Sequence, residues 1–319
     1  MKTLEEFRKF YDTTLLHDLR SLEQDRRRLA RNLAIAAAII LLPLLILALT
    51  LLRQAGPAAA FPLIAALIIF GFVAYFLSRT FTIQFKQSVI TPIVHFVDPN
   101  LIYRPTDRIP KTLFIASKIF TTEPNRYKGD DRVSGRVGET AVDFSEVKAE
   151  RETGSGKNRR RYTIFKGLFF IADFNKNFLG RTLVLPDTAE KLFGHVGQMM
   201  QSWNLTRDDL VKLEDPEFEQ LFVVYSTDQI EARYILSTSL MARIVDFRKK
   251  TGRDIYISFL NSSVVVAIPY DRQLFEPKLF TTLLDYDVIC EYFDDIRLAV
   301  GIVEDLNLNT RIWSKQIQA

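Results

Sequence analysis

Two runs of twenty residues without a single charge dominate this chain. Leu33 to Leu52 reads LAIAAAIILLPLLILALTLL, and Ala58 to Leu77 reads AAAFPLIAALIIFGFVAYFL. At about 1.5 Å per helical residue each run spans the roughly 30 Å hydrocarbon core of a bilayer, so both are expected to be transmembrane helices. Pro43 should kink the first, which membrane helices tolerate, and Tyr75 sits where an interfacial aromatic would anchor the second. The link Arg53-Gln54-Ala55-Gly56-Pro57 is too short for anything but an antiparallel hairpin. A cleaved signal peptide fits poorly: the first run exceeds the usual apolar core of such a peptide and follows a polar segment of 32 residues. A pair of buried core helices is disfavoured by the same length and lack of charge.

The charge distribution supports this topology. Net charge is +4, yet residues 81–319 hold 32 basic and 32 acidic side chains. The surplus therefore belongs to the first 80 residues. Arg26, Arg27, Arg28 and Arg31 precede the first span, Arg79 and Lys86 follow the second, and only Arg53 lies between. The positive-inside rule puts both termini in the cytoplasm. Cys290, the single cysteine, cannot form an intramolecular disulfide, in keeping with a reducing compartment. A neutral remainder is no footprint for nucleic acid.

These observations predict four parts. Residues 1–32 form a cytoplasmic helical segment, with Leu15, Leu19, Leu22 and Leu29 at helical spacing and a packing role favoured over a membrane-surface one. Residues 33–77 are the hairpin (33–52 and 58–77), and 78–97 a helical stalk bent at Pro92 and stopped by Asp98-Pro99-Asn100. Residues 98–319 form a cytoplasmic α+β domain with a mainly antiparallel sheet and flanking helices, divisible at 98–212 and 213–319. Within it the pattern predicts helices at Lys111–Phe120, Ala189–Trp203 and Ser237–Lys250, and one starting near Asp294 with Ile296, Val300, Val303 and Leu306 on one face. Strands are expected at Ala141–Ala149, Tyr162–Phe174, Arg181–Leu185 and Leu221–Tyr225, and a hairpin at Ile255–Phe259 and Val264–Ile268 whose turn is not the favoured Asn-Gly type.

Several stretches carry a resemblance. They are Asp98-Pro99-Asn100-Leu101, Gly129-Asp130-Asp131-x-Val133-x-Gly135, Phe144-Ser145-Glu146, and above all Phe165-Lys166-Gly167-Leu168-Phe169-Phe170-x-Ala172-Asp173-Phe174-Asn175-Lys176. Leu213-Glu214-Asp215-Pro216-x-Phe218 and Ala232-Arg233-Tyr234-Ile235-Leu236 follow. Over roughly residues 80 to 310 the chain is similar to a family of bacterial two-pass membrane proteins catalogued as a domain of unknown function. The resemblance implies a bacterial cytoplasmic membrane protein and transfers no catalytic residue.

Little in the sequence points to chemistry. Gly154-Ser155-Gly156-Lys157 lacks the first glycine of a phosphate loop, has Asn158 in place of Ser/Thr, and reads as the tip of a hairpin. Lys157, Arg159, Arg160 and Arg161 make that tip basic: it would either touch anionic lipid headgroups or be a solvated end paired with Glu146, Glu150 and Glu152. His17, His95 and His195 are scattered, which leaves no zinc spacing, and Cys290 reads as a small packed residue. Asp130/Asp131, Glu214/Asp215 and Asp294/Asp295 fit turns and helix starts better than acid–base pairs. Phe165, Phe169, Phe170 and Phe174 read as core. No catalytic, cofactor-binding or metal-binding residue is assigned, and no cofactor is expected. The expected partners are the membrane, crossed twice, and a protein, with anionic lipid as a candidate at the basic tip and no nucleic acid. The functional expectation is a non-enzymatic, membrane-anchored binding or adaptor module. A membrane-proximal enzyme using Asp173, Asn175 and Lys176 is the alternative, and a subunit of an oligomeric channel or transporter a weaker one, since the spans hold no ionisable residue.

Overall fold

A computed structural model describes residues 1–55, 60–174, 178–187 and 209–309. The hairpin link at 56–59 and the expected helix Ala189–Trp203 lie outside the described residues. Two units emerge: one holds residues 2–93 with 275–294, the other 94–274 with the chain from Asp295.

The first unit is helical. Helix α1 (Leu4–Phe10) opens on a capping box in which the Thr3 hydroxyl accepts from the Glu6 amide and the Glu6 carboxylate accepts from the Thr3 amide. A π-helical turn (Tyr11–Leu15) leads into α2 (Leu16–Ala55), which continues without a break from the polar segment through Pro43 into the apolar run. The second apolar helix, α3 (Ala60–Phe85), is followed by another π turn (Lys86–Ile90) and by α4 (Thr91–Val97). Pro92 cannot donate a helical hydrogen bond, and the ladder changes register just before it, where the Thr91 amide bonds the Lys86 carbonyl five residues back. Both α2 and α3 are long and apolar enough to cross a membrane. They pack along each other, with the small Ala48 and Ala66 buried. Most of their apolar surface faces outward: Ile39, Ile46, Phe61 and Ile68 are each more than 60% exposed.

Leu15, Leu19, Leu22 and Leu29 are buried, so the predicted stripe is a packing face. Residues 275–294 lie in the same unit. The Phe7 ring stacks on Phe293 at 4.1 Å, and the Tyr11 hydroxyl donates to the Leu284 carbonyl at 2.9 Å. Glu23, 4% exposed, accepts from Arg26, from Arg27 and from the Leu283 amide at 3.0 Å. Arg26 donates in turn to the Leu279 carbonyl at 2.7 Å. The Arg26 hydrogen bond is the largest influence holding the Glu23 carboxyl down at about 2, against the cost of its burial. Farther on, the buried Lys86 ammonium meets Glu276 at 2.8 Å.

The second unit is built on one antiparallel sheet of nine strands among the described residues, in the order β1-β2-β3-β4-β9-β8-β5-β7-β6. The strands are β1 (Leu101–Arg104), β2 (Arg126–Val137), β3 (Thr140–Thr153), β4 (Arg160–Asp173) and β5 (Arg181–Pro186), then β6 (Asp209–Val211), β7 (Phe222–Ser226), β8 (Tyr256–Leu260) and β9 (Ser263–Pro269). Both faces are covered. On one, α5 (Lys111–Ala116) sets Phe114 among Val147, Ala149, Phe165, Phe169 and Ala267. On the other, Phe144 stacks near Phe170 at 6.0 Å. Phe165, Phe169 and Phe170 are therefore core, as expected, and Phe174 is half-buried. The remaining helices are α6 (Pro216–Leu221), α7 (Gln229–Ile235), α8 (Thr238–Thr251) and α9 (Tyr286–Asp305).

Helix α8 starts on a Ser237 cap, whose side chain accepts from the Leu240 amide, and ends on Gly252 at φ 62°. The predicted terminal helix begins eight residues early, at Tyr286, so Asp294 lies inside it and not at its start; its buried face does carry Ile296, Val300 and Val303. Strands β1, β2 and β6 and helices α6 and α7 carry no readable pattern of their own, being short or too polar in their alternation. The β8–β9 turn is of the favoured twisted kind after all. Asn261 and Ser262 both have positive φ, 49° and 61°, as a type I′ turn demands, with Ser at the place usually given to Gly.

Two outcomes follow. Ser262→Gly should stabilise the domain by ~0.5–1 kcal/mol in denaturant melts, because glycine adopts the left-handed region without strain. The folded Glu23 carboxyl lies below its ordinary 4.5, so its contribution is complete above that value and is lost as pH falls towards 2. This loss should amount to ~3 kcal/mol, read as hydrogen-exchange protection of the 279–284 amides, and it should vanish in Glu23→Gln.

Candidate functional site

Three carboxylates converge on the sheet where sequence alone left them apart: oxygens of Asp130, Asp131 and Glu146 all lie within 4.8 Å of one another. Asp131 and Glu146 are buried and Asp130 is half-buried. The register explains the meeting. Asp130 is the cross-strand partner of Glu146, and pairing then breaks until Val133 meets Phe144. This β-bulge leaves Asp131 and Arg132 out of the β3 ladder, and their amides turn instead to the carbonyls of Pro105 and Asp107. Asp131 adopts φ 60°, which breaks the alternation of faces and lets two successive carboxylates approach the same neighbour. Arg132 pairs with Asp143 through two hydrogen bonds. Just before the bulge the strands run very close: a Cβ on Gly129 would lie 2.2 Å from the Glu146 carbonyl oxygen.

Protein donors reach both buried carboxylates. The Tyr103 hydroxyl donates to Asp131, and the Leu274 amide to Glu146 at 2.8 Å. Oxygen-only donors of this kind suit a hard cation such as calcium or magnesium better than zinc. Three carboxylates fall short of the six to eight oxygens calcium takes, and two of them are already engaged. The arrangement works as a polar network that fixes the bulge, ties β1 to β2 and holds the chain after β9 against β3. Asp130 is therefore not the turn residue the sequence suggested, and Glu146 is its missed partner. The available signal was Gly-Asp-Asp interrupting a strand opposite a Glu flanked by strand formers.

The remaining candidates fall in separate places. The basic segment is the β3–β4 hairpin end, where Gly156–Asn158 forms a 3₁₀ turn between two strands. Arg159 and Arg161 both pair with Glu152, which also meets Arg126, and Arg160 is exposed. Those guanidiniums, Arg161 first, hold the Glu152 carboxyl below its usual range. The Lys157 side chain lies outside the description. Glu146, expected at this tip, belongs to the carboxylate cluster. Asp215 caps α6, accepting from the Glu217 and Phe218 amides. Cys290 lies on α9, 3.9 Å from a carboxylate oxygen of Asp294. Asp173 ends β4 opposite Ser263, while Asn175, Lys176 and His195 lie outside the described residues. A further surface feature was not anticipated. Glu231 accepts from the amides of Leu179 and Gly180, which sets Leu179, 98% exposed, by the helix carrying Ile230 and Tyr234, 81% and 47% exposed.

Residues 163–308 match the family described as "Protein of unknown function (DUF3137)". That span includes the quoted stretches at 165–176, 213–218 and 232–236; those at 98–146 precede it. No curated protein matches the chain. Among solved structures, the crystal structure of the mycobacterial trehalose monomycolate transport factor A is similar at 10% identity and a TM-score of 0.33, over 68% of this chain and 95% of that one.

If the carboxylate cluster is a structural network, Tyr103→Phe should lower domain stability by ~2 kcal/mol, the cost of removing a donor from a buried carboxylate. Millimolar calcium or magnesium should leave the melting midpoint unchanged. A midpoint that rises with calcium in the parent and not in Asp131→Asn would establish a cation site instead.

Proposed function

We propose that the chain is a membrane-anchored, non-enzymatic binding or adaptor module. In this reading α2 and α3 cross the bacterial cytoplasmic membrane as a hairpin. Both termini face the cytoplasm, and residues 98–319 form a domain held at the inner face, with 98–212 and 213–319 as its parts. One observation carries the anchor: the most apolar 18-residue window of each long helix is only 6% buried. A core helix pair of a water-soluble protein would hide that surface, because exposed apolar area of this extent is not tolerated in water. The orientation rests on Arg26, Arg27, Arg28, Arg31 and Arg79 flanking the spans on one side.

The adaptor part of the reading draws on the exposed Leu179, Ile230 and Tyr234, which suit contact with a protein. The basic tip is taken as a solvated hairpin end, since Glu152 holds two of its arginines.

The chain should stay with membranes through an alkaline carbonate wash and leave them only in detergent. A C-terminal reporter that fluoresces only in the cytoplasm should be bright, and an export-dependent phosphatase at the same place silent; the reverse pattern overturns the orientation. A photo-crosslinker at Ile230 should capture one protein reproducibly, and that capture should fail in Tyr234→Glu. Turnover of a defined substrate by the purified chain would overturn the non-enzymatic reading.

A further inference from the structure

The segment between Leu274 and α9 contains the most exposed aromatic among the described residues. Phe280 is 91% exposed, and Thr281 and Thr282 beside it are exposed as well. A bare phenyl ring on a loop is commonly a loose end, yet this loop is tied down on both sides of it. Before it, Glu276 meets the buried Lys86 and the Leu279 carbonyl accepts from Arg26; after it, the Leu283 amide donates to Glu23. The bonds hold the ring outward on a fixed base.

The same bonds give its height along the helices. Helix α2 is continuous from Leu16 to Ala55, so Arg26 lies seven residues, or about 10 Å, before the first apolar residue Leu33. Lys86 lies nine residues, or about 13 Å, beyond Leu77. The Leu279 carbonyl is held by Arg26 and the Leu283 amide by the Glu23 carboxylate that Arg26 pairs with, and Phe280 lies between these two ties in the chain. On the same helix Arg27, Arg28 and Arg31 are exposed, and the stretch from Glu23 to Arg31 has four arginines against two carboxylates. An exposed aromatic on a loop bonded to Arg26, itself about 10 Å before the first apolar residue, and exposed arginines on the same helix match the composition of a membrane–water interface.

We propose that residues 279–281, led by Phe280, form a third membrane contact: an interfacial anchor that seats the ring in an anionic headgroup layer beside Arg27, Arg28 and Arg31. The proposal rests on the two-span reading and adds to it a lipid-binding surface outside both spans. It also makes the contact shallow, because helical side chains lean towards the N-terminus and so carry the Arg26 guanidinium away from the bilayer. The ring meets headgroups and does not enter the hydrocarbon.

Tryptophan quenching in the full chain tests this. Phe280→Trp, the mid-span control Leu42→Trp and the sheet-domain control Ile102→Trp are each reconstituted in vesicles of zwitterionic and anionic phospholipid carrying a nitroxide either on the headgroup or at mid-chain. Signals are read as differences from the parent, which contains Trp203 and Trp313. The headgroup label should quench position 280 about two-fold more than the mid-chain label, with the opposite order at position 42 and little quenching by either at position 102. Replacing the anionic lipid by a zwitterionic one should reduce the effect at 280 alone. If position 42 is quenched and 280 behaves like 102, the interfacial anchor is wrong and the spans stand; protection of 280 by a crosslinkable protein would then mark it as a protein contact. If position 42 is not quenched by the mid-chain label, the two-span reading and the anchor both fall.

Discussion

A carboxylate with 4% of its surface exposed has to be met by donors or given up as an ion, and Glu23 is met by three. Two come from arginines on its own helix and one from a backbone amide 260 residues later in the chain. That last bond makes the ion pair more than a surface decoration, because Arg26 passes on to the Leu279 carbonyl and so grips the same loop twice. The grip acts together with the Lys86–Glu276 ion pair, the Tyr11 bond to the Leu284 carbonyl and the burial of Phe275 and Leu283, and it holds the stretch on either side of the exposed Thr281 and Thr282. The aromatic contacts of Phe7 and Tyr11 fix the part nearer α9, where Phe293 and Tyr286 supply rings. Polar bonds near the apolar runs and stacked rings farther away divide the work of holding one segment.

The sheet unit solves a different problem. A strand as polar as Arg126–Val137 can lie second from a sheet edge only if its charges find partners, and the bulge after Asp130 provides for this by turning Asp131 towards Tyr103 and Arg132 towards Asp143. Asp131 and Arg132 are thus both met by partners within the sheet. The same economy governs the hairpin tip, where one glutamate gathers three arginines.

Periodicity made the apolar architecture legible. The two uncharged runs, the leucine stripe of α2, the β3–β4 hairpin and the buried face of α9 could be read because each follows one repeat over ten or more residues. What escaped was set by pairing across distance. Leu101–Arg104 has no signal of its own and is a strand because Val133 and its neighbours lie opposite. The Asn261-Ser262 turn looked unfavourable because serine seldom takes positive φ, yet the register of β8 against β9 imposes it. The carboxylate cluster is likewise invisible along the chain, for Glu146 reaches Asp130 through strand register and reaches Leu274 across 128 residues. The start of α9 was misplaced because Asp294-Asp295 imitates a capping sequence in the middle of a helix.

The continuity of α2 has a mechanical meaning. A helix that runs unbroken from Leu16 to Ala55 cannot turn at one end and stay still at the other. One residue of rotation is about 100°, enough to swing Glu23 off its seat against Leu283. The apolar run and the ion pair therefore share one axle, and whatever sets the azimuth of the span also decides whether the loop below it stays latched.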